Sequence, residues 1–215
     1  MNRSILLLVG GVLVVSAVSL FAFRSSSSEP SSVFKMARSA NSTATGVFIP
    51  NLGHAPREAF FYLNRDEDVV LLRASNIDFD MSDQENSRYR AGLRFISSNG
   101  SPKLVGLEPL SQATGFRAVD YLGLYEGVDL RLAIKTGKLS GRFTLAPGVD
   151  PDMVLFKTDD LKGGLIGKPF AYHDVNGHKI PLLVSFEPAR YGSTRLDLGP
   201  HDIRLPVEVD FEIRF

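Results

Sequence analysis

Glu126 and Asp129 are the carboxylates whose types and spacing could do chemistry, since they lie on either side of Gly127. Glycoside hydrolysis needs two carboxyl groups held at a defined separation across the scissile bond. An aspartate beside a glycine turn more often accepts hydrogen bonds from turn amides or faces outward from a strand. We favour this structural role for Asp129, because a short motif without geometry does not define an active site.

Asp150 and Asp152 enclose a proline directly after a Pro-Gly turn, and with a nearby loop they could bind calcium. The chain lacks the ligand spacing of an EF-hand, and aspartates in such turns usually accept hydrogen bonds from the following backbone. We therefore expect a turn here. We interpret five other acidic residues as solvated turn or strand positions: Asp66, Glu67, Asp68, Asp78 and Asp80.

Histidines could supply a metal site near Asn176-Gly177, the strongest short hairpin signal in the chain. His173, Asp174 and His178 flank this turn, but two-residue hairpin pairing does not make the two histidines direct neighbours. A zinc site needs three or four convergent ligands. A third ligand would have to come from a distant residue, either His54 or His201. We therefore favour a hairpin turn that binds no metal.

A row of arginines, Arg88, Arg90 and Arg94, is predicted on one face of a strand. Such a row could meet an anionic surface, for example phosphorylated lipid or polysaccharide. The same row beside acidic strands is an ordinary outer face stabilised by cross-strand charge pairs. We favour the second interpretation.

Composition excludes several classes of function. The 24 basic residues balance the 24 acidic ones, so the sequence does not predict a general nucleic-acid binder. The absence of cysteine excludes disulfides, thiolate catalysis and thiolate metal sites, and the absence of tryptophan removes the commonest sugar-stacking side chain. Because serine-hydrolase, zinc-protease, P-loop and dinucleotide motifs are also missing, we assign no catalytic residue, no cofactor and no metal ligand.

Residues 128–150 predict the hairpin that organises the rest of the chain. Apolar and polar residues alternate on both sides of Thr136-Gly137, which places the apolar set on one face of a sheet. Similar short segments recur after residue 46, and no helix of ordinary length is predicted there. The other predicted strands are 60–63, 69–74, 77–81, 88–95, 103–107, 118–122, 153–157, 170–175, 178–186, 194–198 and 203–215.

About a dozen such strands predict an all-β fold, with two packed antiparallel sheets as in a β-sandwich, or a barrel. The last strand is expected to offer an edge to a partner, because it alternates regularly and closes the chain. Pro206 within it lacks an amide donor, which also favours an edge or a bulge.

The N-terminal region predicts export. Residues 5–23 carry no charge, and a helix of 19 residues spans about 28 Å, close to the hydrocarbon thickness of a bilayer. We divide the chain into a signal anchor or signal peptide at 1–24, a flexible Ser-rich tether at 25–45 and a β-rich domain at 46–215. The anchor is favoured over cleavage near Val15-Ser16-Ala17, which would leave an apolar new N-terminus. The domain then faces the periplasm or the outside, and it is secreted if the leader is cleaved.

Several segments resemble the bacterial domain of unknown function that precedes SBBP-type β-propeller repeats in large secreted or surface proteins. Residues 48–54, FIPNLGH, resemble the opening motif FIENxGQ, and residues 125–130, YEGVDL, resemble YPGIDL. Residues 143–151 resemble DFxVxPGADP, and residues 169–177 resemble the closing hairpin. The propeller repeats themselves are absent. The resemblance covers residues 47 to about 210 and implies an exported β-rich module without an established activity.

Three functions are consistent with these patterns. The first is a non-enzymatic, membrane-tethered extracytoplasmic β module for binding or for envelope and surface assembly, with a protein or glycan partner. The second is a carbohydrate-binding module, which would show a concave face with tyrosine or phenylalanine platforms. The third is a glycan hydrolase, which requires two close carboxylates in a cleft. We favour the first.

Overall fold

The computed structural model describes residues 46–65, 68–82, 88–111, 114–159 and 165–214. These residues form fifteen strands and two short 3₁₀ turns, Pro151–Met153 and Arg190–Gly192. The strands are β1 (Phe48–Pro50), β2 (Ala59–Arg65), β3 (Asp68–Arg73), β4 (Asn76–Ser82), β5 (Arg88–Phe95), β6 (Lys103–Pro109), β7 (Phe116–Tyr125), β8 (Val128–Lys135), β9 (Lys138–Leu145), β10 (Leu155–Asp159), β11 (Phe170–Val175), β12 (His178–Leu182), β13 (Val184–Pro188), β14 (Thr194–Leu198) and β15 (Val207–Ile213).

All fifteen strands belong to one sheet. The order along it is β12-β11-β15-β9-β8-β7-β1-β2-β3-β4-β5-β10-β14-β13, and β6 pairs with β7 off this path. The prediction of an antiparallel all-β fold is confirmed. The strands are more numerous than predicted, and they are not divided into two separate sheets: the one sheet nearly closes into a barrel.

Aromatic side chains join the two ends of this sheet over the larger of its two hydrophobic clusters. Phe186 on β13 packs edge-on against Phe211 on β15, with ring centroids 5.8 Å apart, and against Phe156 on β10 at 5.1 Å. Phe211 also stacks on Phe143 of β9 at 5.2 Å. Since β13 and β15 lie near opposite ends of the strand order, these contacts require the sheet to curve back on itself. The apolar faces of its strands then share a common interior.

The predicted central hairpin is confirmed. Strands β8 and β9 pair in register from Val128 opposite Leu145 to Lys135 opposite Lys138. Thr136 and the glycine after it have φ values of 49° and 76°, which is the left-handed backbone that a two-residue hairpin turn uses. Because the side-chain period in a strand is two, this register puts the apolar residues of both strands on the core side.

The last predicted strand is shorter than expected and is not at an edge. β15 begins at Val207, and residues 203–205 form a turn in which the Leu205 amide donates to the Asp202 carbonyl at 3.1 Å. The Asp202 carboxylate also accepts from the backbone of Arg204, so a local side-chain bond competes with the ladder. β15 lies between β9 and β11, and the expectation that it offers an edge to a partner is therefore wrong.

The predicted strand 178–186 is divided in two. Its first part is β12, which pairs with β11, and its second part is β13, which pairs with β14. Leu183 alone separates them, so one nearly continuous segment supplies both ends of the strand order. Alternation could not reveal this change of partner, because the side-chain pattern continues through it.

Pro181 fits the edge of the sheet without loss of a ladder bond. In a two-residue hairpin the residues beside the turn exchange hydrogen bonds, and bonded and non-bonded pairs then alternate. Val175 and His178 beside the turn form a bonded pair, and three pairs further on Tyr172 and Pro181 form a non-bonded pair. The position of the missing N–H of Pro181 therefore faces away from β11. Pro181 and Lys179, two residues before it on this edge strand, discourage pairing with another chain.

The predicted anchor at 1–24 and tether at 25–45 lie outside the described residues. Within residues 46–65, 68–82, 88–111, 114–159 and 165–214, no helix combines the length and the apolar character that crossing a membrane requires.

Candidate functional site

An open cleft of about 750 Å³ lies where three loops meet beside the ends of strands β5, β7 and β10. It is bordered by the segment after β5, by the β7–β8 turn and by the 3₁₀ turn that precedes β10. Most of its lining side chains can donate or accept hydrogen bonds. Those used below are Ser97, Ser98, Asn99, Glu126, Asp152 and Met153.

The carbonyl of Leu155 organises the floor of this cleft. It accepts a hydrogen bond from the Tyr125 hydroxyl at 2.5 Å and another from the Ile96 amide at 2.8 Å. These bonds tie β7 and the end of β5 to β10. The Tyr125 ring is only 2% exposed, and burial raises the pKa of its hydroxyl far above the ordinary value, so the group stays a donor. A ring this deeply buried does not provide a platform for a sugar.

Left-handed backbone concentrates around the same cleft. Ser97 has a φ of 54°, a conformation that costs energy for a residue with a side chain. Gly127 has a φ of 71° and completes the two-residue β7–β8 turn that carries Glu126. Its carbonyl accepts from the Ala146 amide at 2.8 Å, which joins this turn to the end of β9. The cleft is therefore bordered by shaped and hydrogen-bonded loops.

The structure does not bring Glu126 and Asp129 together in the cleft. Asp129 accepts a hydrogen bond from the Gly123 amide at 2.6 Å, and this bond holds the irregular part of β7 between Tyr121 and Tyr125. Glu126 lines the cleft and Asp129 does not. The structural role favoured for Asp129 from the sequence is thus what the geometry shows.

Asp150 and Asp152 also have structural partners. Asp150 caps the 3₁₀ turn Pro151–Met153 by accepting from the Asp152 amide at 3.0 Å, so the turn interpretation is confirmed. The Asp152 carboxylate forms an ion pair with Arg195 on β14 at 3.1 Å. The predicted strand 153–157 correspondingly begins two residues late, because this turn occupies its first position.

The histidines separate into two groups. His173 and His178 are not cross-strand neighbours, as predicted, because His173 lies opposite Ile180. Asp174 accepts from the Gly177 amide at 2.8 Å and serves the hairpin turn. His173 instead lies beside His201, with ring centroids 6.0 Å apart. Among the described residues, no three histidine, aspartate or glutamate side chains converge as metal ligands.

The predicted row of arginines faces acidic neighbours. Arg88 pairs with Asp80 on β4 at 3.1 Å, and Arg94 pairs with Asp159 on β10 at 3.4 Å. Asp80 is only 4% exposed, so its prediction as a solvated strand position is wrong, whereas the exposed Arg94–Asp159 pair contributes on the order of 0.2–1 kcal/mol. These contacts agree with an ordinary outer face rather than a surface reserved for an anion.

A second polar row on the outer face was not predicted. Arg131 on β8 binds Asp120 on β7 at 2.8 Å, and Arg142 on β9 binds Asp210 on β15 at 2.6 Å. The hydroxyl of the buried Tyr172 on β11 donates to the Glu208 carboxylate of β15 at 2.6 Å and lies 3.2 Å from the Asp210 carboxylate. Burial, hydrogen bonding to one carboxylate and the charge of the other raise its pKa strongly. Alternation placed Arg131, Arg142 and Asp210 on the polar faces of their strands, but the order of the strands was needed to join them to Asp120 and Tyr172.

Searches of protein-family models, of curated proteins and of solved structures returned no match to this chain. The resemblance to the module that precedes SBBP-type repeats therefore stays a prediction from the motifs in residues 47 to about 210.

Proposed function

We propose that the chain is a non-enzymatic, membrane-tethered extracytoplasmic β module that binds a ligand or partner in envelope or surface assembly. The observation that supports binding over catalysis is that the two candidate catalytic carboxylates, Glu126 and Asp129, do not meet in the cleft. Asp129 accepts a hydrogen bond from the Gly123 amide of β7 and does not line the cleft, whereas Asp152, the other carboxylate beside Glu126 in the cleft, is paired with Arg195. A hydrolase needs two carboxyl groups that remain available on either side of a scissile bond.

The cleft is the proposed binding site. Serine hydroxyls, the Asn99 side chain and the Glu126 carboxylate can recognise a polar ligand, and Met153 adds an apolar contact. This lining favours a carbohydrate as the second candidate, since sugars present many hydroxyl groups to such partners. The buried ring of Tyr125 is the feature that sets this cleft apart from the usual aromatic sugar platform.

We expect the full-length protein in detergent micelles to bind a subset of polar saccharides on a glycan array. Changing Glu126 to glutamine should weaken binding by about tenfold, the loss expected for one charge-assisted hydrogen bond. Titration calorimetry with the strongest saccharide measures this change. Glu108→Gln is the matched control, because Glu108 is an exposed glutamate on β6 that does not line the cleft.

Three outcomes distinguish the alternatives. Equal affinities for the Glu126→Gln and Glu108→Gln variants would remove the cleft as the binding site. Release of new reducing ends from a bound saccharide would replace the binding module with the hydrolase. If the array shows no binding at all, the carbohydrate candidate is rejected and a protein partner remains the proposal.

The proposed tether has a separate test. Intact-mass measurement of the native membrane fraction should give a product that retains residues 1–24, because the whole apolar run 5–23 is long enough to span a bilayer. A product that begins after Ala17 and is recovered without membrane would instead identify a cleaved signal peptide. A full-length product found free in the cytosol would contradict export altogether.

A further inference from the structure

His173 carries a nitrogen whose bonding is incomplete. Its side chain is on β11 with only 4% of the residue exposed, and its Nδ1 lies 2.8 Å from the Pro206 carbonyl oxygen. Because a carbonyl only accepts, Nδ1 of the neutral ring carries the proton and Nε2 presents a lone pair. Nε2 is buried and has no hydrogen-bond partner within the described part of the chain. A buried polar atom without a partner calls for an explanation.

His201 repeats this arrangement beside it. Its Nδ1 lies 2.8 Å from the Gly199 carbonyl oxygen, so its Nε2 also presents a lone pair. The two rings have centroids 6.0 Å apart and an interplanar angle of 47°. Metal-binding histidines commonly donate their other ring N–H to a backbone carbonyl, which fixes the tautomer and the ring orientation. Both histidines meet this condition.

We propose that His173 and His201 form a two-histidine site for a late first-row transition-metal ion, with copper(II) bound most tightly. Metal–imidazole bonds are about 2 Å long, so two imidazoles bound to one ion can have ring centroids 6.0 Å apart. Imidazole is a good ligand for copper, nickel and zinc, and copper(II) leads the general affinity order. This site is independent of the cleft.

Within the described part of the chain, no third histidine, aspartate or glutamate joins this pair as a metal ligand. The neighbouring Asp202 carboxylate is held by Arg204 through contacts of 2.7 and 2.9 Å. The remaining coordination positions therefore fall to water or to a small exogenous ligand. His201 is half-buried in the loop before β15, which gives an ion a path from solvent.

The test adds copper(II) to the untagged full-length protein in detergent micelles and records electron paramagnetic resonance spectra. We expect one equivalent of bound copper with nitrogen couplings from two imidazoles. His201→Gln should weaken binding at least tenfold and remove one coupling, and it leaves β11 intact. His173→Gln should act in the same way if it folds, which circular dichroism establishes.

His54→Gln and His178→Gln are the matched controls, because neither residue lies in this pair. Unchanged binding in both controls, together with the loss in His201→Gln, supports the site. Three results would overturn it: no stoichiometric copper, a loss in the His178→Gln or His54→Gln variant instead, or a spectrum that His201→Gln does not alter. The third result would leave only an adventitious ion.

Discussion

Replacing Phe211 with alanine should lower the free energy of unfolding by about 3–5 kcal/mol, the range for removing a large aromatic side chain from a core. Phe211 is 5% exposed, stacks on Phe143 and meets Phe186 edge-on. Its loss therefore removes both core burial and the contact that joins β15 to β13 across the gap in the sheet. Urea unfolding of the full-length protein in detergent, followed by circular dichroism, measures the change.

Phe60→Ala is the control for this experiment. Phe60 lies on β2 and is 50% exposed, so its truncation leaves no comparable cavity. We expect this variant to lose less than about 1 kcal/mol. Similar losses in the two variants would contradict the central position assigned to Phe211.

Gly141→Ala should destabilise the protein by about 1–3 kcal/mol, because a methyl group at this position overpacks the core. Gly141 lies on β9 in direct register with Phe211 on β15, and a Cβ atom there would overlap the Phe211 ring. The glycine is thus explained by the close approach of a phenylalanine rather than by backbone conformation. The same unfolding measurement tests the expected loss.

A double-mutant cycle separates this steric cause from a general intolerance of alanine. In the Phe211→Ala background the added methyl group has space, so the penalty at Gly141 should nearly vanish, with a coupling energy of at least about 1 kcal/mol. Gly100→Ala serves as the matched control, since a Cβ at Gly100 meets nothing within 4 Å. Additive losses in the double variant would refute the predicted overlap.

Much of the strand content followed from local patterns because these patterns are set by side-chain geometry within a few residues. The Asn176-Gly177 hairpin was predicted with its pairing, since a two-residue turn determines the register of the strands beside it. The hairpin of β8 and β9 was predicted from alternation on both sides of Gly137, and the structure supplies its register. Strand ends were less accurate where side chains bind the local backbone. Asp150 and Asp202 each accept a hydrogen bond from a backbone amide two residues later, and each bond stabilises a turn where a strand was predicted.

The candidate sites were predicted less completely than the strands. The acidic pair chosen from spacing, Glu126 and Asp129, does not meet in the cleft, because Asp129 accepts a hydrogen bond from the Gly123 amide, whereas Glu126 shares the cleft with Asp152. His201 was named only as one of two distant partners for His173, and nothing in their spacing selected it over His54. Such choices depend on which loops meet, and alternation within a strand carries no information about its neighbours.

The sequence by itself determined that this domain is built from antiparallel strands and which face of the regularly alternating strands is apolar, because a period of two acts on residues that are adjacent in the chain. Tertiary structure alone decided that the strands form one nearly closed sheet, that 178–186 changes partner at Leu183, and that β15 is internal. These outcomes depend on long-range packing, above all on Phe211 meeting Phe186, and contacts between distant segments follow from the shape of the whole core.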